Sequence, residues 1–581
     1  MISSTSKKYN LSPVAGEALL NFKGRLSADE MYMQVYDIDK NRCENVNNAT
    51  EDNIDGYVFD GDCLSVCAYL KEHNMQVDLV YIDPPFASAA NYTKKIKLRK
   101  EKVKGKEEQN PKNVDYSIGE EIMYGDIWNK EDYLNWIYLR LLAIREVMSD
   151  NASIYVHLDH NINHYVRVLL DEVFGEECFR SSIVWDTASP TYAAGHKWEA
   201  NNWIYSQANI FYYTKNSSEY IFNKEVKQVK MSSGDISNKP VKDVWTDIDN
   251  FAGMYGCKDY KTGYATQKPE ALLERIIKAS SNEGMIVADF FGGSGVTSKV
   301  AHKLNRKFIT CDIGTNAIQT IRDQLKKENA KFKVLDIKDG IDLFRNPAQT
   351  MNQLFRLCNG EKRNKDSEYS QLWDGLIPYN NNLTYVKLID NSKIVDEKYI
   401  DYLITEISQD YILDEQKEYV ILYIFKENSL TQEIIDLKLK QKGYNFKVNL
   451  ISIEEILKER KDKVQTPDSV VFSIDRKENG YEVVIENYFS PYLKRKIDDE
   501  NKRKVNKTNL IELSENGFEL IEYISFDTEM KDEWISSVEE IVEQNSQMKG
   551  RYLLQNNVFR MKIRNIAGDE IIVSSEEAAN E

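Results

Sequence analysis

Two short stretches of this chain hold residue types whose spacing could do chemistry. The first is Asp83-Pro84-Pro85-Phe86. Two consecutive prolines cannot donate backbone hydrogen bonds, so a strand running into them must leave its sheet there. A carboxylate, a proline carbonyl and an aromatic ring are then presented together. They suit a planar heterocycle bearing an amino group: Asp83 and the Pro84 carbonyl would take both amino hydrogens while Phe86 stacks on the ring. The second stretch is Asp289-Phe290-Phe291-Gly292-Gly293-Ser294-Gly295. Glycines between a strand and a helix let the backbone approach a ligand closely, as in dinucleotide folds, although the spacing here differs from G-x-G-x-x-G. Asp312 follows about twenty residues later, where an acidic residue can bind ribose hydroxyls.

The elements around both stretches are legible from periodicity. Val77 to Ile82 is a nearly unbroken apolar run, as in a strand buried on both faces of a parallel sheet. Tyr57-Val58-Phe59 predicts a strand ending near Asp62, and Cys63 to Glu72 predicts a helix. Strand, helix and strand in that order make a parallel crossover unit, and ligands sit at the carboxyl ends of such strands. Further on, helices are expected over Glu131 to Val147, Asn163 to Phe174 and Val296 to Leu304, with another opened by Pro269. Strands are expected at Ser153 to His157, Ser182 to Trp185, Asn209 to Tyr213, Met285 to Ala288 and Lys307 to Cys311. The Lys-rich stretch Ala87 to Glu121 lacks periodicity and reads as a mobile loop over the site. A helix near Pro13 to Phe22 is the one expected element of the first fifty or so residues. His157, His160 and His164 have no acidic or cysteine cluster beside them in the sequence, so no metal site is expected.

With 581 residues and 42% hydrophobic content the chain can bury a large core in two or three domains. No apolar run is long enough to cross a bilayer, and the N-terminus lacks a signal-like apolar core, so no membrane partner and a cytoplasmic location are expected. Seven scattered cysteines support neither a zinc site nor a disulfide framework. The net charge of −17 taken alone favours a small-molecule enzyme. Its distribution argues otherwise, because Lys94, Lys95, Lys97, Arg99, Lys100, Lys102, Lys104 and Lys106 crowd the stretch just after Phe86. A second basic run, Lys494 to Lys507, reads as a solvated face.

Together, and in this order, the two motifs resemble the DNA amino-methyltransferases that use S-adenosylmethionine. Catalytic motif first, recognition region next and glycine motif last is the β-class permutation of that superfamily. Gly61-Asp62-Cys63-Leu64, Ile154-Tyr155-Val156-His157-Leu158-Asp159, Val168 to Gly175 and Thr266-Gln267-Lys268-Pro269 are similar to members allied with the modification subunits of type III restriction-modification systems. The likeness covers about Tyr57 to Ile337. It departs after Phe86, where Ala87-Ser88-Ala89-Ala90 stands in place of a frequent Asn-Thr-Gly, and in the loop, where Gly292-Gly293 replaces Ala-Gly or Cys-Gly.

What the resemblance implies is an α/β fold: a Rossmann-like methyltransferase sheet with permuted motif order, an inserted target-recognition region and a C-terminal α/β plus β domain. The expected organisation is an extension over 1–50, a catalytic half over 51–186, target recognition over 187–261, a cofactor half over 262–345 and an accessory domain over 346–581. Asp83, Pro84, Pro85 and Phe86 would be catalytic. Asp289, Phe291, Gly292, Gly293 and Gly295 would cradle the methionine part of S-adenosylmethionine, with Asp312 on its ribose, Asp62 or a neighbour at its adenine and Lys268 closing the pocket. Lys94, Lys95, Lys97, Arg99 and Trp198 would hold double-stranded DNA. The implied activity is methyl transfer to the N6 amino group of a flipped-out adenine, because an acidic first residue in the tetrapeptide resembles adenine enzymes and cytosine enzymes more often begin with Ser. Methylation of cytosine N4 or of RNA, and a non-catalytic DNA-binding subunit, are the alternatives. A second copy of the chain and a restriction subunit stay open as partners.

Beyond about residue 346, Tyr419 to Phe425 and Phe446 to Leu450 with a helix between them predict a small α/β unit. Ser469 to Ile474, Tyr481 to Ile485 and Val558 to Ile563 alternate in a way that predicts an antiparallel sheet.

Overall fold

A computed structural model describes residues 7–12, 20–22, 25–27, 31–85, 91–99, 117–125, 130–187, 201, 203, 206–230, 235–249, 267–338, 361–362, 373–379, 382–389, 397–411, 418–423, 432–452, 468–503, 510–544 and 546–575. The helix expected near Pro13 to Phe22 lies largely outside them. After a short antiparallel pair, Lys8–Asn10 with Tyr32–Gln34, the strands in chain order are β1 (Glu44–Val46), β2 (Gly56–Asp60), β3 (Val77–Ile82), β4 (Asn91–Lys97), β5 (Ser117–Gly125), β6 (Met148–Leu158) and β7 (Phe179–Asp186). They continue as β8 (Gln207–Thr214), β9 (Val226–Lys230), β10 (Ile236–Pro240), β11 (Val244–Trp245), β12 (Ile286–Asp289), β13 (Lys307–Asp312) and β14 (Phe332–Asp336). The helices among them are α1 (Cys63–Glu72), α2 (Lys130–Val147), α3 (Asn163–Phe174), α4 (Glu270–Ser280), α5 (Val296–Lys303) and α6 (Thr315–Lys327).

Ten of these strands form one mixed sheet in the order β11-β7-β8-β6-β3-β12-β13-β2-β14-β1. The six from β6 to β14 are mutually parallel, and β8 and β1 run against their neighbours. Helices cover both faces, as a sheet of crossover units requires. Val80 and Ile82 of β3 pack into the core made with α1, α2 and α3, among Val66, Leu141 and Leu170. Leu79 and Tyr81, pointing the other way, pack with Leu273, Ile277, Val300 and Ile321 of α4, α5 and α6. That alternation explains why the Val77 to Ile82 run carries so little polarity: neither face meets water. The fold is a doubly covered α/β sheet of the Rossmann-like type.

Two long stretches that read as irregular contain paired strands. β4 and β5 form an antiparallel ribbon, with Lys94 opposite Glu121 and Lys95 opposite Glu120, so part of the expected loop after Phe86 is a hairpin. β9 and β10 form a second ribbon within the expected recognition region. Neither sequence alternates cleanly, because a two-stranded ribbon buries little on either face and needs no apolar stripe.

The chain divides into two compact units, one holding residues 1–339, 469–489 and 493–581, the other 340–468 and 490–492. In the second unit, parallel strands Asn382–Ile389, Glu418–Tyr423 and Lys447–Ser452 are joined by helices Glu397–Tyr411 and Gln432–Lys442 over a core that includes Trp373, Ile404 and Leu439. The region expected from 346 onward as one accessory domain is therefore two pieces, and most of the chain after Asp468 packs with the methyltransferase-like sheet. The reason is a buried ionic seam. Arg322 of α6 bonds Glu44 of β1, Tyr523 at 2.8 Å and Glu539 at 2.8 Å, and Arg564 bonds Asp323 and forms an ion pair with Glu522 at 3.0 Å. The strands expected to form one sheet also separate: Ser469–Lys477 pairs with Gly480–Phe489, which pairs in turn with Arg551–Leu554, whereas Arg560–Asn565 joins Ile521–Asp527 and Glu570–Ser574.

Candidate active site

The site lies where β3 and β12 pair side by side, Leu79 beside Val287 and Val80 beside Ala288. Their connections leave on opposite faces of the sheet, which opens a crevice beyond the strand ends. Asp83 stands at the end of β3. One carboxylate oxygen, Oδ2, accepts a hydrogen bond from the Lys268 ammonium. The other, Oδ1, is buried, has no hydrogen-bond partner among the described residues, and lies 3.8 Å from His157 Nδ1. A buried carboxylate oxygen without a donor is costly unless a ligand supplies one. Phe86 lies outside the described residues.

His157 belongs to β6, the strand beside β3, and is buried there. A hydrogen bond of 2.8 Å joins its Nδ1 to the Tyr81 hydroxyl, and the indole of Trp185 meets its ring edge-on. Burial pushes the imidazole down to about 4; the nearby Asp83 charge opposes the shift and Lys268 adds to it. The ring is therefore neutral at physiological pH. Sequence reading weighed His157 only as a metal ligand; its place against Asp83 follows from the β3–β6 register, which pairs Ile82 with Val156.

On the other side of the crevice β12 runs into the glycine loop. Asp289 is buried, accepting from the Phe291 N–H at 3.0 Å and from the Thr297 hydroxyl at 2.5 Å. Burial drives its carboxyl up to about 7 despite those two bonds. It ties the loop to the first turn of α5. The glycines are required by close approach: at Gly295, φ is +79° and a Cβ would lie 2.9 Å from Ile321 Cγ1. Asp312, at the end of β13, accepts from the Gly293 N–H at 2.9 Å and the Gly314 N–H at 2.8 Å. These backbone donors hold its carboxyl down against the larger upward effect of burial.

Asp62 caps α1, accepting from the Leu64 N–H at 2.9 Å, and its other oxygen accepts from Arg140 at 2.6 Å. The Arg140 guanidinium lies 4.3 Å from the centre of the Trp136 ring, which in turn stands 5.5 Å from the ring of Phe291. Trp136 and Arg140 were missed in the sequence because they fit the helical pattern of α2; their i,i+4 spacing places them on one face. The structure thus gathers Asp62, Asp83, Lys268, Asp289, Phe291, the glycines and Asp312 along one edge. Lys268, expected to close the cofactor pocket, has its ammonium on Asp83.

The expected DNA contacts are dispersed. Lys94, Lys95 and Lys97 lie on β4. Arg99 is bonded to Glu522 at 2.9 Å, so its charge serves the seam with the C-terminal strands. Trp198 lies outside the described residues.

A crevice with an acceptor carboxylate on one wall and a glycine loop, two acidic strand ends and two aromatic rings on the other defines a group-transfer site for a planar amine and a nucleoside-type donor. Residues 77–323 match the family model described as DNA methylase, of the N6/N4 type. The chain is 29% identical over 228 residues to the type II methyltransferase M.HpaI of Haemophilus parainfluenzae, covering 38% of this chain and 68% of that protein. It is 24% identical over 273 residues to the DNA adenine methyltransferase YhdJ of Escherichia coli, covering 45% and 80%. A probable type III Mod subunit, HindVI of Haemophilus influenzae, is 34% identical over 125 residues, covering 20% and 16%. The chain carries a DNA methylase domain of the N6/N4 type and is a DNA methyltransferase; S-adenosylmethionine is the methyl donor. The residues present fit that donor: two carboxylates at strand ends for hydroxyl and amino groups, and Phe291 with Trp136 for a flat ring. Among the described residues no helix is long and apolar enough to cross a membrane.

Proposed function

We propose that this methyltransferase acts on the N6 amino group of adenine within a defined sequence of duplex DNA, in the cytoplasm, as the modification partner of a restriction activity. The observation that carries the reading is Asp83 Oδ1, a buried acceptor without a donor among the described residues, at the end of a strand that two prolines terminate. An aromatic amine is a poor nucleophile because its lone pair is delocalised into the ring. Hydrogen bonds from its two N–H groups to Asp83 and to the Pro84 carbonyl return electron density to nitrogen as the methyl group is transferred, and the proton then leaves towards the carboxylate. S-adenosylmethionine supplies the methyl group. Asp312, Phe291 and Asp62 orient the donor, and the buried neutral His157 fixes the Asp83 wall. The amino group is unreachable inside stacked base pairs, so the adenine rotates out of the duplex at a cost of a few kcal/mol, and stacking on Phe86 offsets about 1–3 kcal/mol of that.

Long-read sequencing that detects modified bases, on DNA from cells making the wild-type chain or Asp83→Ala, tests this. N6-methyladenine at one recurring sequence is expected with the wild type. Purified Asp83→Ala is expected to turn over about a hundredfold more slowly or worse, the scale for losing a preorganised electrostatic partner, while binding S-adenosylmethionine with near wild-type affinity in a calorimetric titration. N4-methylcytosine in place of methyladenine, or an active Asp83→Ala, overturns the assignment.

A further inference from the structure

The ribbon of β9 and β10 has a built-in asymmetry. Its cross-strand partners are Val226 with Pro240, Lys227 with Lys239, Gln228 with Asn238 and Val229 with Ser237. Side chains alternate along a strand, so Gln228, Asn238, Val226 and Ile236 share one face, while Lys227, Val229, Ser237 and Lys239 share the other. Val229 and Ser237 are half-buried and Lys227 reaches Asp247 at 3.9 Å, so the Val229–Ser237 pair of that second face is the more sheltered part, while Lys227 and Lys239 stay exposed. The first face is open: Gln228 and Asn238 are exposed, Val226 is 53% exposed and Ile236 is 69% exposed.

The base of the ribbon is clamped. The Val241 N–H donates to the Glu225 carbonyl at 3.0 Å. Arg275 of α4 donates to the Glu225 side chain at 2.9 Å and to both oxygens of Asp247 at 2.9 and 3.0 Å. The Asn223 amide also bonds the end of α4, at the Lys278 carbonyl, 2.9 Å. α4 begins two residues after Lys268, whose ammonium is on Asp83. One helix thus ties the ribbon to the catalytic carboxylate.

We infer that this ribbon is a sequence-reading element that enters the DNA major groove, with the Gln228 and Asn238 carboxamides as specificity-determining groups for adenine-containing base pairs; the inference rests on the DNA-methylating role proposed above. A two-stranded ribbon fits a major groove about 12 Å wide, and Asn or Gln can bond adenine N6 and N7 together. Directly opposed residues have Cβ atoms about 5 Å apart, so the two amides can meet neighbouring base pairs. Ile236 and Val226 on the same face suit thymine methyl groups, the apolar feature of that groove. Charge is complementary: residues 224–242 hold five lysines and two acidic residues in a chain whose net charge is −17. Distance is compatible too. From β3 to β11, beside which the ribbon is rooted, there are four strand spacings, about 19 Å, which corresponds to about six base-pair steps at 3.4 Å, within the span of a recognition site.

The test is methylation of a randomised duplex library with S-adenosylmethionine, the modified adenines and their flanks being read by sequencing. Wild type is expected to mark one sequence. The Gln228→Ala/Asn238→Ala double variant is expected to mark a family of sequences relaxed at one or two base pairs, with discrimination there reduced about tenfold to a hundredfold. Lys239→Ala, a phosphate-type change, is expected to slow all sequences alike and leave the site intact. An unchanged site in the double variant, or a uniform slowing of it, overturns the inference. Should the double variant mark nothing, the shape-conserving Gln228→Glu and Asn238→Asp variants decide, an unaltered site in both being the refuting result. A wild type that binds S-adenosylmethionine but marks no DNA refutes the methylating role itself, and the ribbon's reading role with it.

Discussion

At the scale of residues, the turn that ends β3 at Asp83 was legible in the sequence and the side chains packed against it were not. Asp83-Pro84-Pro85 announces itself because prolines end a strand wherever the rest of the fold lies. His157 and Tyr81 gain their meaning only from the register of β3 against β6, which no local pattern specifies. The buried His157 has a measurable signature. His157 titrates at about 4 in the folded chain against an ordinary value of 6.5, principally through burial. Since the unfolded chain takes up a proton below 6.5 and the folded chain does not until about 4, this group contributes stability above 6.5 that is lost as pH falls through that window. The full swing is roughly 3 kcal/mol. His157→Gln removes the titration, so the stability difference between wild type and variant, from urea midpoints, is expected to shrink between pH 7 and pH 4.5. A difference independent of pH means that the imidazole is not held neutral by burial.

At the scale of elements, the long periodic segments were readable: α1 and α3 begin and end where their apolar spacing predicts, at Cys63–Glu72 and Asn163–Phe174. Both ribbons were hidden, because β4 with β5 and β9 with β10 are held by pairing and by anchors such as Arg275 rather than by apolar alternation. The glycine loop falls between these cases. Its residues were recognisable, but not that Asp312, proposed for the ribose, already holds the Gly293 N–H of the loop with one oxygen and the Gly314 N–H after β13 with the other. Asp312→Ala is therefore expected to weaken S-adenosylmethionine binding and to loosen the loop itself. Gly295→Val forces a branched side chain into a left-handed backbone, about 1–2 kcal/mol by itself, and against Ile321. Calorimetric titration should show reduced cofactor affinity in both variants, with affinity for duplex DNA, measured without cofactor, kept. If both bind S-adenosylmethionine as wild type does, the donor site is not this loop.

At the scale of the whole molecule, the sequence suggested an ending of the catalytic unit near residue 345 because the family likeness stops there. The structure shows why likeness is a poor guide to a folding unit. Arg322 on α6 is buried, and its guanidinium is shared by Glu44 from the start of the sheet and by Tyr523 and Glu539 from strands some two hundred residues later in the chain. Backbone bonds cross the same boundary, from the Trp534 N–H to the Cys43 carbonyl at 2.8 Å and from the Asn45 N–H to the Trp534 carbonyl at 2.9 Å, so β1 is clasped by the C-terminal part. Burying so many charges is favourable only while every partner is present: replacing a pair by apolar groups can be neutral, whereas removing one member strands the others and costs about 3–5 kcal/mol. Arg322→Ala, which among the described residues leaves buried Glu44 with Lys562 as its one cation and Glu539 with Lys326, is expected to lose stability towards that scale in chemical denaturation. A lone surface pair would give about 0–1 kcal/mol. Arg322→Met with Glu44→Leu and Glu539→Leu removes these three charges together, and although Lys562 and Lys326 lose their pairings with Glu44 and Glu539, it should recover part of the loss. Equal losses in the single and triple variants would mean that shape rather than charge holds the C-terminal strands to the sheet, and a loss below about 1 kcal/mol in the single variant would mean that the ionic seam does not hold them.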